Sequence, residues 1–73
     1  MKARLYFIDC GFAEHVCIRK LVKALRSYGY TVCSDEFEPW ILYVAIPDCD
    51  SAALKLQKAA FERCRVDHIE RLV

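Results

Sequence analysis

The chain has 73 residues, which is enough for one domain, and we expect a single domain over residues 1–73. Its 11 Lys and Arg residues nearly balance its 10 Asp and Glu residues, so composition excludes a strongly basic nucleic-acid- or membrane-binding protein. Its hydrophobic fraction of 56% is high for a chain this small, and this predicts an apolar surface that a partner covers.

The sequence also gives expectations about compartment. No apolar run reaches the roughly 18 residues that a membrane span needs, and the first apolar run resembles a strand more than a signal peptide. The chain has five widely spaced cysteines and no CxxC pair. A disulfide scaffold would favour an even number of cysteines. We therefore expect reduced thiols and a cytoplasmic protein.

The first half of the chain predicts a strand, a helix and a second strand. Residues 2–9 are rich in aromatic and branched side chains and end at Cys10-Gly11, as a strand does. Residues 12–28 repeat apolar side chains at spacings of three and four, which indicates a helix. Gly29 then stands where a left-handed helix cap belongs, and residues 30–34 form a short second strand.

The second half predicts a third strand, a second helix and a C-terminal segment. Residues 40–46 form an apolar strand that follows an acidic turn, with Trp40, Leu42, Val44 and Ile46 toward the core. Asp48 or Asp50 can cap a helix that runs to about Arg63. Residues 65–73 fit a strand or a helix, and we favour the strand because it would pair with a sheet edge.

This order of elements, β-α-β-β-α-β, is that of ferredoxin-like domains. Right-handed crossovers then place both helices on one face of a four-stranded antiparallel sheet, giving an α+β two-layer sandwich. The other face is left uncovered unless a C-terminal helix folds over it. By alternation along the strands we expect that face to carry Tyr6, Ile8, Thr31, Cys33, Ile41 and Tyr43.

The predicted uncovered face is too apolar for plain solvent surface, so we expect it to bind another protein or a second copy of the chain. The expected contact residues are Tyr6, Ile8, Ile41 and Tyr43. Small stand-alone domains often regulate or inhibit larger assemblies, as phage and mobile-element proteins do to host defence. The first hypothesis is therefore a non-catalytic interaction module.

An RNA-binding alternative rests on two segments. Leu5-Tyr6-Phe7-Ile8-Asp9 resembles the first-strand motif of RNA-recognition-motif domains, and Tyr43-Val44-Ala45-Ile46 resembles the end of their third-strand motif. The resemblance implies a single-stranded RNA-binding sheet on which Tyr6 and Tyr43 stack bases. The basic, glycine-rich half of the third-strand motif is absent, and Ile41 stands where that family has a second ring.

No stretch has the spacing of a catalytic, cofactor or metal motif, so we expect no enzyme activity, cofactor or metal. A thiol- or metal-dependent protein is the remaining alternative, based on Cys10, His15 and Cys17 near the start of the first helix. Cys10 would be reactive at a helix N-terminus, whereas Cys17 fits the buried stripe of that helix.

Basic side chains recur on the outer faces of both predicted helices, while the turn at residues 35–38 is acidic. Such a surface is ordinarily a solvated helix face. The separation of charge nevertheless makes the molecule dipolar, which suits electrostatic steering toward a partner. The basic residues are Arg19, Lys23 and Arg26 on the first helix, and Lys55, Lys58 and Arg63 on the second.

Overall fold

The computed structural model describes residues 2–73 and contains four strands and two helices. The strands form one antiparallel sheet in the order β2-β3-β1-β4. The helices pack against each other and the sheet, which confirms the predicted ferredoxin-like α+β two-layer sandwich. The elements are β1 (Ala3–Asp9), α1 (His15–Ser27), β2 (Thr31–Ser34), β3 (Ile41–Pro47), α2 (Asp50–Arg63) and β4 (His68–Arg71).

The C-terminal segment is a strand, as the favoured alternative predicts. β4 pairs antiparallel with β1, and its main-chain bonding continues beyond the strand. The Leu72 amide donates to the Leu5 carbonyl at 2.7 Å, and the Leu5 amide donates to the Val73 carbonyl at 3.1 Å. The segment therefore extends the sheet at the edge of β1 instead of folding over the uncovered face.

The end of α1 confirms the predicted role of Gly29. Gly29 has a φ of +86°, which a residue without Cβ adopts without penalty. Its amide donates to the Arg26 carbonyl at 3.0 Å, and the Tyr30 amide donates to the Leu25 carbonyl at 3.1 Å. These two bonds form a Schellman motif, which satisfies carbonyls of the last helical turn and starts the chain toward β2.

The core lies between the sheet and the two helices. Leu21 and Leu25 of α1 and Leu56 of α2 are fully buried, and the alanines of α2 allow it to approach the sheet closely. The predicted core face of β3 is confirmed for Leu42, Val44 and Ile46. Trp40 is the exception, because it precedes β3 and stays 38% exposed.

The face assignment of β1 was wrong for Tyr6 and Ile8. Both point toward the helices, with 6% and 0% of their surface exposed, and Tyr6 lies opposite Val44 in the ladder. Alternation could not decide, because both faces of β1 are apolar and each carries one charge, Arg4 or Asp9. Arg4 shares the core side because it lies at the margin of the sheet, where it reaches acidic partners.

The acidic residues at the start of α2 serve an ion pair and not the predicted helix cap. The N-cap is Cys49, and neither Asp48 nor Asp50 caps the helix. Arg4 Nε lies 2.7 Å from Asp48 Oδ1, and Arg4 Nη1 lies 3.1 Å from Asp50 Oδ1. These contacts hold the start of α2 against β1. Among residues 2–73, neither helix is long and apolar enough to cross a membrane.

Candidate functional site

The sheet face opposite the helices is the candidate functional site, and we call it the open face. It is identified by the register, because Tyr6, Ile8, Leu42 and Val44 face the core and their neighbours along each strand face away. The open face consists of Ala3, Leu5, Phe7 and Asp9 of β1, Thr31 and Cys33 of β2, Ile41, Tyr43, Ala45 and Pro47 of β3, His68 and Glu70 of β4, and Leu72 after it.

Two aromatic rings form the centre of the open face. Phe7 and Tyr43 are direct partners across β1 and β3, with ring centroids 5.9 Å apart and an interplanar angle of 64°. The His68 ring lies 6.3 Å from that of Phe7 on the other side. Both central rings are only half-buried, so each presents apolar surface to solvent. Edge-to-face aromatic pairs of this kind are common at protein interfaces.

The Tyr43 ring is held in place by the acidic turn. Its hydroxyl donates to Asp35 Oδ1 at 3.2 Å, and the Phe37 and Glu38 amides donate to Asp35 Oδ2 at 3.0 Å each. The two amides, Phe37 first, hold the pKa of the Asp35 carboxyl below its usual range, with a smaller contribution from Tyr43. Burial and the bond to Asp35 raise the pKa of Tyr43. The turn therefore orients one ring of the central pair.

The open face carries negative charge and no Lys or Arg. Asp9 and Glu70 belong to it, and Asp35 borders it through its bond to Tyr43. The two arginines of β1 and β4, Arg4 and Arg71, occupy register positions on the helix side, where both contact Asp48. His68 is the only basic side chain on the face, and its imidazole lies 3.7 Å from Glu70.

A small pocket lies beyond the end of β1, next to the open face. It has a volume of about 290 Å³ and is lined by Asp9, Gly11, Phe12, Trp40 and Asp67. The Gly11 amide donates to Asp9 Oδ1 at 2.8 Å, and the Asp67 amide donates to the Asp9 carbonyl at 2.8 Å. Phe12 is fully exposed beside these carboxylates. The pocket extends the acidic and apolar character of the open face past the strand end.

The predicted contact residues lie on opposite faces of the sheet. Ile41 and Tyr43 lie on the open face as expected, but Ile41 is only 8% exposed and offers little contact surface. Tyr6 and Ile8 are in the core and cannot contact a partner there. Sequence reasoning missed Phe7, which takes the place expected for Tyr6. Asp9 shares the alternation of Phe7, but Arg4 places an equal charge on the other face, so the sequence carried no deciding signal.

The cysteines near α1 do not form the reactive site that the thiol-dependent alternative requires. The helix starts at His15, so Cys10 is outside its first turn, and burial raises the pKa of the Cys10 thiol to about 12. His15 is exposed on the helix surface. Within residues 2–73, no three His, Cys, Asp or Glu side chains are grouped as a metal site requires.

The exposed thiol with a perturbed pKa is Cys49, at the N-terminus of α2. Its sulfur lies 3.4 Å from the Ser51 hydroxyl, and this contact, together with the Ala52 amide, lowers the pKa of the Cys49 thiol. A helix N-terminus also stabilises a thiolate, because the partial positive charge of the helix dipole lies there.

Comparison with known proteins gives no relative on which to base a function. No protein-family model matches the chain, and no curated protein or solved structure matches it significantly. The functional argument therefore depends on the geometry of this molecule.

Proposed function

We propose that this protein is a non-catalytic interaction module that docks on a partner protein through the open face and regulates or inhibits a larger assembly. The observation that carries the proposal is the half-buried Phe7–Tyr43 ring pair at the centre of a sheet face that no other element covers. Large aromatic side chains at the centre of an interface typically supply most of its binding energy. Leu5, Ala45 and Leu72 extend the apolar surface around the pair.

The charge of the open face indicates the kind of partner. Asp9 and Glu70 lie at the margins of the aromatic centre without a Lys or Arg on the same face. A partner with an apolar centre and basic side chains around it would complement both features. A second copy of the chain, docked face to face, would bring the same carboxylates together, so we favour a different protein.

Single-stranded RNA is the second candidate, and the ring pair favours it too. Phe7 and Tyr43 on adjacent strands resemble a platform on which two bases stack, with Phe7 replacing the buried Tyr6. The open face, however, has carboxylates where phosphates would need cations. The charge therefore supports the protein partner over RNA.

The free thiols support placing this activity in a reducing, cytoplasmic compartment. All five cysteines are unpaired, and Cys33 and Cys49 are exposed to solvent. Exposed thiols persist where the compartment keeps them reduced.

The experiment is affinity capture from the native host lysate, with nuclease treatment, followed by binding measurements on the purified partner. Phe7→Glu places a charge at the centre of the open face. Phe61→Glu is its matched control, because it makes the same substitution at an exposed position on α2. Circular dichroism must show that both variants fold.

We expect a nuclease-resistant protein partner whose affinity falls at least about tenfold with Phe7→Glu and little with Phe61→Glu. Equal losses in both variants would contradict docking through the open face. Recovery of nucleic acid in place of protein, lost on nuclease treatment and weakened by Phe7→Glu, would support the RNA candidate. A purified dimer that Phe7→Glu dissociates would identify the chain as its own partner.

A further inference from the structure

A groove runs along the outer side of α1, on the helix layer and away from the open face. Its volume is about 790 Å³, within the range of ligand-binding clefts. One side of α1 forms the long wall of the groove, and residues of β2, the acidic turn and β3 form the opposite wall. The lining residues are His15, Ile18, Arg19, Val22, Lys23 and Arg26 from α1, with Ser34, Pro39 and Leu42.

The rim of this groove is basic. His15, Arg19, Lys23 and Arg26 follow one another at spacings of four, four and three residues, so they lie on one side of the helix. In the described part of the chain, none of the four has a carboxylate oxygen within 4.0 Å. No Asp or Glu lines the groove. No ion pair within the molecule therefore neutralises these four side chains.

The floor of the groove is apolar. Leu42 is fully buried beneath the groove and Ile18 is 8% exposed, while Val22 is half-buried and presents a branched side chain between the cations. Arg26 marks one end of the groove, where its Nη2 donates to the Val32 carbonyl at 3.1 Å. A ligand that fits must bring both carboxylates for the rim and apolar side chains for the floor.

We propose that the α1 groove binds an acidic amphipathic helix of a partner protein. A helix antiparallel to α1 that carries carboxylates at successive spacings of three, four and four residues would meet Arg26, Lys23, Arg19 and His15 in turn. Apolar side chains on the same face would reach Val22. This is helix-in-groove recognition with charge complementarity along the rim, and it is independent of the function proposed for the open face.

Two other occupants fit the groove less well. An extended peptide adding to the free edge of β2 would need the Val32 carbonyl, which Arg26 already occupies. A nucleic acid would bring flat bases that stack on aromatic side chains, and no Phe, Tyr or Trp lines the groove. Nucleic acid binding is accordingly one outcome that the experiment must distinguish.

The test uses the full chain and a labelled helical peptide of about 15 residues with Glu at those spacings and Leu or Ala between them. Binding is followed by fluorescence anisotropy at about 50 mM and about 300 mM salt, since screening weakens exposed charge pairs. The control peptide has Gln in place of each Glu. The variants are Lys23→Glu and Arg19→Glu in the groove, with Lys20→Glu as the matched control, because Lys20 lies on α1 but does not line the groove.

We expect saturable binding of the Glu peptide that falls about tenfold with Lys23→Glu or Arg19→Glu and by less than about twofold with Lys20→Glu. The Gln peptide should bind weakly at both salt concentrations. An equal loss with Lys20→Glu would overturn the proposal, because it would show attraction to net charge alone. No binding of the Glu peptide, or its displacement by a single-stranded oligonucleotide that binds more tightly, would also overturn it.

Discussion

Phe7 and Tyr43 are direct partners across β1 and β3, whereas Tyr6, one residue earlier, lies opposite Val44 on the other side of the sheet. A single step along β1 therefore separates a core aromatic residue from an interface aromatic residue. Because the side-chain period of a strand is two, a shift of one residue in the assumed alternation exchanges these roles.

The first prediction separates these roles by stability. Tyr6→Ala removes a ring that is 6% exposed, so we expect the free energy of unfolding to fall by about 3–5 kcal/mol. Phe7→Ala removes a half-buried ring from the open face, and we expect a loss of about 1–2 kcal/mol. Urea denaturation of both variants at one temperature measures the difference. A larger loss for Phe7→Ala than for Tyr6→Ala would contradict the observed face assignment of β1.

Much of the fold is predictable from the sequence because local signals agree with one another. Gly29 ends α1, Pro47 ends β3, and the spacing of Leu21 and Leu25 marks the buried stripe of the helix. The faces of β1 were not predictable, since both are apolar. Arg4 is on the core side only because Asp48 and Asp50, more than forty residues away in the chain, are within its reach. Such a long-range ion pair has no local signal.

The sequence predicts that an open face exists, but it does not predict that Phe7 lies at its centre. The β-α-β-β-α-β order implies an uncovered sheet face, and alternation in β3 correctly placed Ile41 and Tyr43 there. The pairing of Tyr43 with Phe7 depends on the register between β1 and β3, which the sequence does not contain. The α1 groove was also only partly predictable. The sequence shows the basic side chains on α1, but not the walls that β2 and the turn supply.

The second prediction concerns the link between Tyr43 and Asp35 at low pH. The folded pKa of Asp35 is lowered, so the charged carboxylate stabilises the fold above its ordinary pKa. This contribution is lost as pH falls through the lowered folded pKa, below about pH 4. We expect Asp35→Asn to be less stable than the natural protein at neutral pH, and the difference in free energy of unfolding to shrink as the solution is acidified.

Glu36→Gln is the control for this prediction, since it removes the same charge from an exposed side chain in the same turn. Denaturant unfolding at a series of pH values gives all three profiles. If the free energies of unfolding of Asp35→Asn and the natural protein differ by a constant amount down to about pH 2, the ionisation of Asp35 does not contribute to stability, and the prediction is wrong.

The third prediction ranks the cysteines by reactivity. Cys49 is exposed and its pKa is lowered, first by the contact with Ser51, so we expect it to be alkylated by iodoacetamide faster than a free thiol at neutral pH. Burial raises the pKa of Cys10 and of Cys64, and both should stay protected until the protein unfolds. Mass spectrometry of timed digests gives each rate.

The matched variant for Cys49 is Ser51→Ala. It removes the hydroxyl that lies 3.4 Å from the sulfur, so the pH midpoint of Cys49 alkylation should rise toward that of an ordinary thiol. An unchanged midpoint would attribute the lowered pKa to the helix N-terminus alone. Alkylation of Cys10 in the folded protein at the rate of Cys49 would contradict its burial.

The last prediction compares the two glycines with positive φ. Gly11 has a φ of +55° and Gly29 one of +86°, so Ala at either position brings left-handed strain of about 1–2 kcal/mol. A Cβ at Gly29 would meet no atom within 4 Å, whereas a Cβ at Gly11 would overlap the Asp67 carboxyl group, which must rotate away from its position. We therefore expect Gly11→Ala to lower the free energy of unfolding more than Gly29→Ala does, as measured by urea denaturation.

A double-mutant cycle attributes the extra loss at Gly11 to that overlap. Asp67→Ala removes the carboxyl group but keeps the main-chain bond from the Asp67 amide to the Asp9 carbonyl. In the Asp67→Ala background, Gly11→Ala should cost only as much as Gly29→Ala, because strain is then the shared term. A cost at Gly11 that does not depend on Asp67 would show that the exposed Asp67 carboxyl group rotates away from the new methyl group without penalty.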